Sequence, residues 1–263
     1  MKKLARVAVY AVALALVVII LLFFYWSFES DNDSPTVYSY SIVATYPHDT
    51  EAFTEGLIYF NDSLYESTGG WGTSNLRQVN LANGNITREV LLPEQYFGEG
   101  LAIVHGSLIQ LTWQSGIGFV YDEKTLKVTA NFTYSTEGWG LTFDGIHLIM
   151  SDGSSNLYFL EPATFQKVGQ VSVRDDNASI ANLNELEYVR GDIYANVWHR
   201  QEIVIINSKT GQVKGYIDLT GIYQGDDPEA VLNGIAYDQT TDALYITGKN
   251  WPNLYQIIIS PKT

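Results

Sequence analysis

The chain has 263 residues, with 18 Tyr, 11 Phe and 6 Trp and no cysteine. The missing thiols exclude a disulfide framework, a thiolate metal site and a cysteine nucleophile. A formal charge of −14 repels phosphate backbones and anionic lipid heads, which argues against a nucleic-acid partner and favours cationic ligands.

Residues 7–28 read VAVYAVALALVVIILLFFYWSF, with no charged side chain. At about 1.5 Å per residue, a helix of this length crosses the roughly 30 Å hydrocarbon core of a bilayer. Lys2, Lys3 and Arg6 flank it on one side and Glu29, Asp31 and Asp33 on the other, a polarity that leaves the N-terminus inside. A cleaved signal peptide usually has a shorter apolar run ending at a small-x-small site, so residues 1–28 are expected to be an uncleaved membrane anchor. Cleavage would instead give a secreted protein. Residues 29–35 read as a polar stalk and 36–263 as an extracytoplasmic domain. Sequons at Asn61, Asn85, Asn131 and Asn177 agree with an exterior, glycosylated location.

Residues 37–47, VYSYSIVATYP, alternate like an outer strand and have no partner strand beside them in sequence. Beyond them a unit recurs: TEGLIYF at Thr54, GEGLAIV at Gly98, GWGLTFD at Gly138, NELEYVR at Asn184 and NGIAYDQ at Asn233. The residues that open each strand are Leu57, Leu101, Leu141, Leu186 and Ile235, spaced 44, 40, 45 and 49 apart. That is the period of propeller blades of four strands each. Within the repeats, turns such as FNDS, VHGS and YVRGD lead to second strands LYEST, LIQLTW and IYANVW. The fifth repeat is one strand short. The expected fold is therefore all-β, a five-bladed β-propeller with the N-terminal strand completing the last blade, preceded by one transmembrane helix.

Inner strands of a propeller converge on one channel mouth. The residues expected there are Glu55, Glu99, Trp139, Asn184 or Glu185, and Asn233, with Trp113, Trp198 and Lys249 from the ends of second strands. Phe53 and Phe97 precede two of the acidic turns. The leucines are expected to be core. Carboxylates, amides and a lysine beside indoles are costly at a channel mouth unless paired or used. His48, His105, His147 and His199 are scattered and form no metal-binding pair, and no phosphate-binding glycine motif is present.

The set YPHD-x4-FTEGL, YFGEGL, LTW, GWGL, NELEY, NVW, NGIAYD and TGKNWP, between residues 46 and 255, resembles the plant-type glutaminyl-peptide cyclotransferases, or glutamine cyclotransferases. The resemblance implies a five-bladed propeller enzyme that works without a metal; no cofactor is expected, and the chain is expected to be a monomer. It would convert the N-terminal glutamine of peptides or proteins to pyroglutamate with release of ammonia. It implies Glu99 as the proton-transfer residue, with Asn184 and Lys249 as polar partners. Phe53, Phe97, Trp113, Trp139 and Trp198, together with Glu55, Glu185 and Asn233, would bind the substrate. The plant enzyme carries glutamine in the turn where this chain has Glu55. Two other readings stand beside it. One is a calcium-dependent, lactonase-like hydrolase propeller with Glu55, Asn184 and Asn233 as ligands. The other is a non-catalytic cell-surface propeller whose indoles stack on a partner.

Overall fold

In the computed structural model, which describes residues 34–262, all regular structure is β strand. β1 (Thr36–Pro47) precedes the repeats. The first repeat supplies β2 (Thr54–Phe60), β3 (Ser63–Thr68), β4 (Asn75–Val79) and β5 (Ile86–Leu91). The second supplies β6 (Gly98–Val104), β7 (Ser107–Thr112), β8 (Ile117–Asp122) and β9 (Val128–Thr133). The third has β10 (Leu141–Phe143), β11 (Leu148–Ser151), β12 (Asn156–Leu160) and β13 (Lys167–Ser172), followed by a ribbon of β14 (Arg174–Asp175) and β15 (Ala178–Ser179). The fourth contains β16 (Leu183–Val189), β17 (Asp192–Val197), β18 (Glu202–Asn207) and β19 (Val213–Asp218), and the fifth β20 (Leu232–Asp238), β21 (Ala243–Gly248) and β22 (Asn253–Pro261).

Local chemistry explains the hairpins. In FNDS, VHGS and YVRGD the two central residues have positive φ, at 48° and 59° for Asn61 and Asp62, 49° and 81° for His105 and Gly106, and 51° and 97° for Arg190 and Gly191. Two such residues make the turn whose twist matches that of paired strands, and Asn, Asp, His and Gly tolerate it best. Burial grades outward within a sheet: β2 is buried over its first five residues, whereas β5 alternates between exposed and half-buried.

The pairing of the strands corrects the expected propeller. Three repeats form separate four-stranded sheets, but the fourth and fifth join with β1 in one eight-stranded sheet, ordered β16-β17-β18-β19-β1-β22-β21-β20. The described residues thus form three four-stranded sheets, one eight-stranded sheet and the small ribbon, rather than five separate blades. The cause is the length of β1. It pairs antiparallel with β22 from Tyr38 to Pro47, and its first three residues also run parallel to Gly215, Tyr216 and Ile217 of β19. Both of its edges are hydrogen-bonded, so neither β19 nor β22 is left as an open edge. The expected transmembrane helix, residues 7–28, lies outside the described residues, and among those described no helix is long and apolar enough to cross a membrane.

The end strand β20 meets β16 and its neighbour β17 through side chains rather than a ladder. Glu185 Oε2 accepts from Ile235 N at 2.9 Å, Glu187 Oε1 from Tyr237 N at 3.0 Å, and Asn196 Oδ1 from Gly234 N at 2.9 Å. The sheet nearly closes on itself. The five strands that open the repeats lie side by side in a ring, β2 against β6, β6 against β10, β10 against β16, β16 against β20 and β20 against β2. Leu57, Leu101, Leu141, Leu186 and Ile235 are each at most 1% exposed, and burying each contributes about 1.5–3 kcal/mol to the packing between neighbouring repeats.

Candidate active site

Each opening strand carries one small residue just before its buried Leu or Ile: Gly56, Gly100, Gly140 and Gly234, with Glu185 as the exception. A Cβ at Gly100 would lie 2.6 Å from Leu141 N and Trp139 O, and one at Gly140 would strike the Asn184 carbonyl. Backbone packs on backbone there, which only glycine permits. The glycines leave room near the axis, and the Glu185 side chain uses it. Its carboxylate accepts from Leu57 N at 3.3 Å and Ile235 N at 2.9 Å. Burial, with Glu187 nearby, pushes Glu185 well above the usual carboxylate range, partly offset by those two amides.

The residues one step earlier are Glu55, Glu99, Trp139, Asn184 and Asn233. Side chains alternate along a strand, so they turn away from the packed centre. A cavity of about 240 Å³ opens above them, lined by Phe53, Glu55, Phe97, Glu99, Trp113, Trp139, Asn184, Trp198, Glu229 and Lys249. Nine of the eleven residues expected at the site meet in it. Of the other two, Glu185 lies beneath, holding strands, and Asn233 is behind Glu55. Larger cavities occur elsewhere among the described residues, including one of about 610 Å³, but they lack this convergence of indoles, carboxylates and a lysine.

Backbone bonds at equivalent places hold the walls. Trp113 N bonds Phe97 O at 3.0 Å, Trp198 N bonds Asn182 O at 2.9 Å and Lys249 N bonds Val231 O at 2.9 Å. The rings then pack edge to face: Phe53 on Phe97 at 6.1 Å between centroids, Phe97 on Trp113 at 5.7 Å and Trp139 on Trp198 at 5.8 Å. Geometry of this kind suits the aromatic quadrupole.

The two carboxylates have different surroundings. Glu55, 2% exposed, accepts from Lys249 Nζ at 2.6 Å and Asn233 Nδ2 at 3.0 Å. Burial pushes Glu55 up, and the Lys249 charge and both hydrogen bonds pull it back. Lys249 Nζ also sits 4.3 Å from the centre of the Phe53 ring. Glu99 is 5% exposed, and its carboxyl has no hydrogen-bond partner among the described residues. Burial, then the charge of Glu55, hold it well above its ordinary value of 4.5, against the pull of Lys249. Asn184 Oδ1 is buried and unpartnered. A carboxyl whose proton affinity is raised by burial, an unsatisfied acceptor and a lysine therefore share one small aromatic cavity.

That arrangement fits a cation poorly as ligand. Donors already occupy both oxygens of Glu55, and a metal needs acceptors in their place. Among the described residues no three His, Cys, Asp or Glu groups gather to hold a metal.

Three residues escaped the sequence reading. Glu137 Oε2 accepts from Trp113 Nε1 at 2.8 Å and from Trp139 Nε1 at 2.9 Å, and its Oε1 from Gln114 Nε2 at 3.1 Å. Burial raises Glu137, but the bonds from Trp139, Trp113 and Gln114 outweigh it and its carboxyl is held below the ordinary value. Its place two residues before Trp139 in TEGWGL was the available signal. Trp71, 56% exposed, packs on Phe97 at 5.6 Å. Glu229 belongs to a loop with no counterpart in the other repeats, so periodicity could not reveal it.

A protein-family model described as glutamine cyclotransferase matches residues 15–259. The chain is 41% identical over 223 residues to a glutaminyl-peptide cyclotransferase of Arabidopsis thaliana, covering 82% of this chain and 70% of that protein. It is similar to the crystal structure of Myxococcus xanthus glutaminyl cyclase, with a TM-score of 0.83 and 36% identity, over 88% of this chain and 100% of that one.

Proposed function

The chain belongs to the glutamine cyclotransferase family of enzymes, and from that premise we propose that its aromatic cavity folds the N-terminal glutamine of a peptide into a five-membered ring. The α-amine nitrogen attacks the γ-carboxamide carbon, the carbon–nitrogen bond of the side-chain amide breaks, and pyroglutamyl peptide and ammonia leave. The observation that carries this reading is Glu99, a buried carboxyl without a hydrogen-bond partner, facing the cavity with its proton affinity raised.

An α-ammonium has an ordinary pKa near 8, so a carboxylate whose proton affinity is raised by burial takes its proton more readily than an ordinary one. Glu99 accepts the proton as the amine attacks and returns it to the departing nitrogen. Negative charge develops on the amide oxygen, where the remaining N–H bonds of Lys249 stabilise it. Asn184 Oδ1 accepts from the substrate amine and aims it. Phe53, Phe97, Trp113, Trp139 and Trp198 exclude water and hold the side chain bent for closure, a proximity effect. Glu55 and Asn233 position Lys249, and Glu185 supports the floor.

Replacing the shuttle tests the scheme. Glu99→Gln keeps the shape and removes the base, so ammonia release from Gln-Gly amide should fall by about 10²–10⁴-fold with an unchanged circular dichroism spectrum. Near-normal release by the variant overturns the assignment.

Residues 7–28 would anchor the enzyme in a membrane with the catalytic domain, residues 36–263, outside and residues 29–35 as a stalk. The apolar length and the flanking charges support this, as do the exposed positions of Asn61, Asn85, Asn131 and Asn177.

A further inference from the structure

A second cleft, of about 190 Å³, adjoins the catalytic cavity. Three walls run from one into the other along the chain. Trp198 lines the cavity and His199 the cleft, Glu229 the cavity and its neighbours Pro228 and Ala230 the cleft, Lys249 the cavity and Trp251 the cleft. At two of these crossings the backbone turns through positive φ, 62° at His199 and 58° at Asn250, which sends successive side chains into different spaces. The Trp198 and His199 rings stay 4.3 Å apart at the shared rim.

The floor of the cleft is apolar and its rim is polar, carrying His199, Arg200, Gln201 and Asp227. Leu219 and Trp251 are 0% and 3% exposed, Tyr223 stacks on Trp251 at 4.8 Å and 17°, and Ile222 is half-buried beside them. The loop that forms one side is held in place: Trp251 Nε1 donates to Ala230 O at 2.8 Å, and Asp227 Oδ1 accepts from Glu229 N at 2.9 Å. The shape therefore exists before anything enters, which reduces the ordering cost of binding.

We propose that this cleft is a subsite for the second residue of the peptide, the one after the N-terminal glutamine, and that it selects apolar side chains. The inference rests on the cyclisation reading above. A glutamine seated beneath Trp198 and Glu229 leaves its own carbonyl at the rim, and a residue joined there meets the apolar floor next.

Ammonia release from Gln-Gly, Gln-Ala, Gln-Leu and Gln-Phe amides by the full chain tests it. The wild type should prefer Gln-Leu over Gln-Gly by about tenfold in kcat/KM, carried in KM, as expected for a few methylenes in an apolar pocket. In Tyr223→Ala, and independently in Ile222→Ser should the first fail to fold, that ratio should fall to about twofold or less. A flat series in the wild type, or a ratio unchanged in the folded variants, overturns the subsite and leaves cyclisation standing. No release from any of the four peptides overturns cyclisation and the subsite with it.

Discussion

At the residue scale, the buried pair of Lys249 and Glu55 has the largest consequences. Their side chains are 7% and 3% exposed, so removing one partner strands a charge, at about 3–5 kcal/mol. Lys249→Met should lose that much stability in urea melts, and ammonia release should fall by about 10²–10³-fold as an oxyanion donor is lost. Adding Glu55→Gln removes the stranded charge, so the double variant should regain much of the stability but not the turnover. Recovery of turnover in the double variant would remove Lys249 from the chemistry. Glu55 pairs the lysine and, through its charge, adds to the burial that raises the proton affinity of Glu99.

Glu137 acts through the indoles it holds. Glu137→Ala frees Trp113 and Trp139 from their shared acceptor, and a misplaced wall should lower kcat/KM by about tenfold, mostly through KM. Tryptophan emission should shift to the red in the same variant. Glu137→Gln keeps one acceptor oxygen and should recover part of the loss. An unchanged KM in Glu137→Ala would reduce this residue to a surface role.

At the scale of elements, one buried network ties the end of β1 to β2, β3 and β4 and to the loop that carries Lys249. His48 Nε2 bonds Glu66 Oε1 at 2.9 Å, Thr54 Oγ1 donates to the same oxygen at 2.6 Å, and Arg77 bonds Glu66 Oε2 through Nε at 2.8 Å. His48 Nδ1 meets the Trp251 carbonyl at 2.6 Å, and Asn250 N donates to Ala52 O at 2.7 Å. Burial disfavours the imidazolium, but the Glu66 charge overrides it and raises His48 above its usual 6.5. Burial likewise opposes Glu66, yet His48 and Arg77 hold it far below 4.5. A raised histidine stabilises fully below 6.5 and loses that contribution as pH climbs through its folded value. A depressed carboxylate stabilises above 4.5 and loses that contribution as pH falls. These two groups alone would place the greatest melting temperature between these limits, and the raised carboxyls of Glu99, Glu185 and Glu187 add a decline of their own as pH climbs above 4.5. In His48→Gln the decline above pH 6.5 should flatten. An identical alkaline decline in the variant would assign it to other groups.

For the whole molecule, the acidic surface and the apolar N-terminus make opposite demands, since the charge of −14 favours water and residues 7–28 favour lipid. The full chain should sediment with membranes and resist alkaline carbonate, whereas a chain starting at Ser34 should remain in the supernatant with its cyclising activity intact. Release of the full chain by carbonate would exclude the anchor.

The ring of opening strands and the content of the cavity were legible because both are written in a repeating order. The motif places Glu55, Glu99, Trp139, Asn184 and Asn233 at equivalent positions, and equivalence in a closed ring means proximity. Periodicity could not say which of Asn184 and Glu185 faces the cavity. That depends on the space left by glycine at four of five places, which is a property of the assembled ring. Nor could it reveal Glu137 or Glu229, whose partners come from outside the repeating register.

By itself the amino-acid sequence determined the strands, their turns and the identity of the groups that converge, since all of these follow from local pattern and composition. Only the tertiary structure decided how the strands join. β1 is long enough to bond on both edges, so it fuses two repeats into one eight-stranded sheet where separate blades were expected. Only the tertiary structure, too, decided the electrical state of the site. A lysine reached across 194 positions of sequence pairs Glu55, while burial raises the proton affinity of the unpaired Glu99.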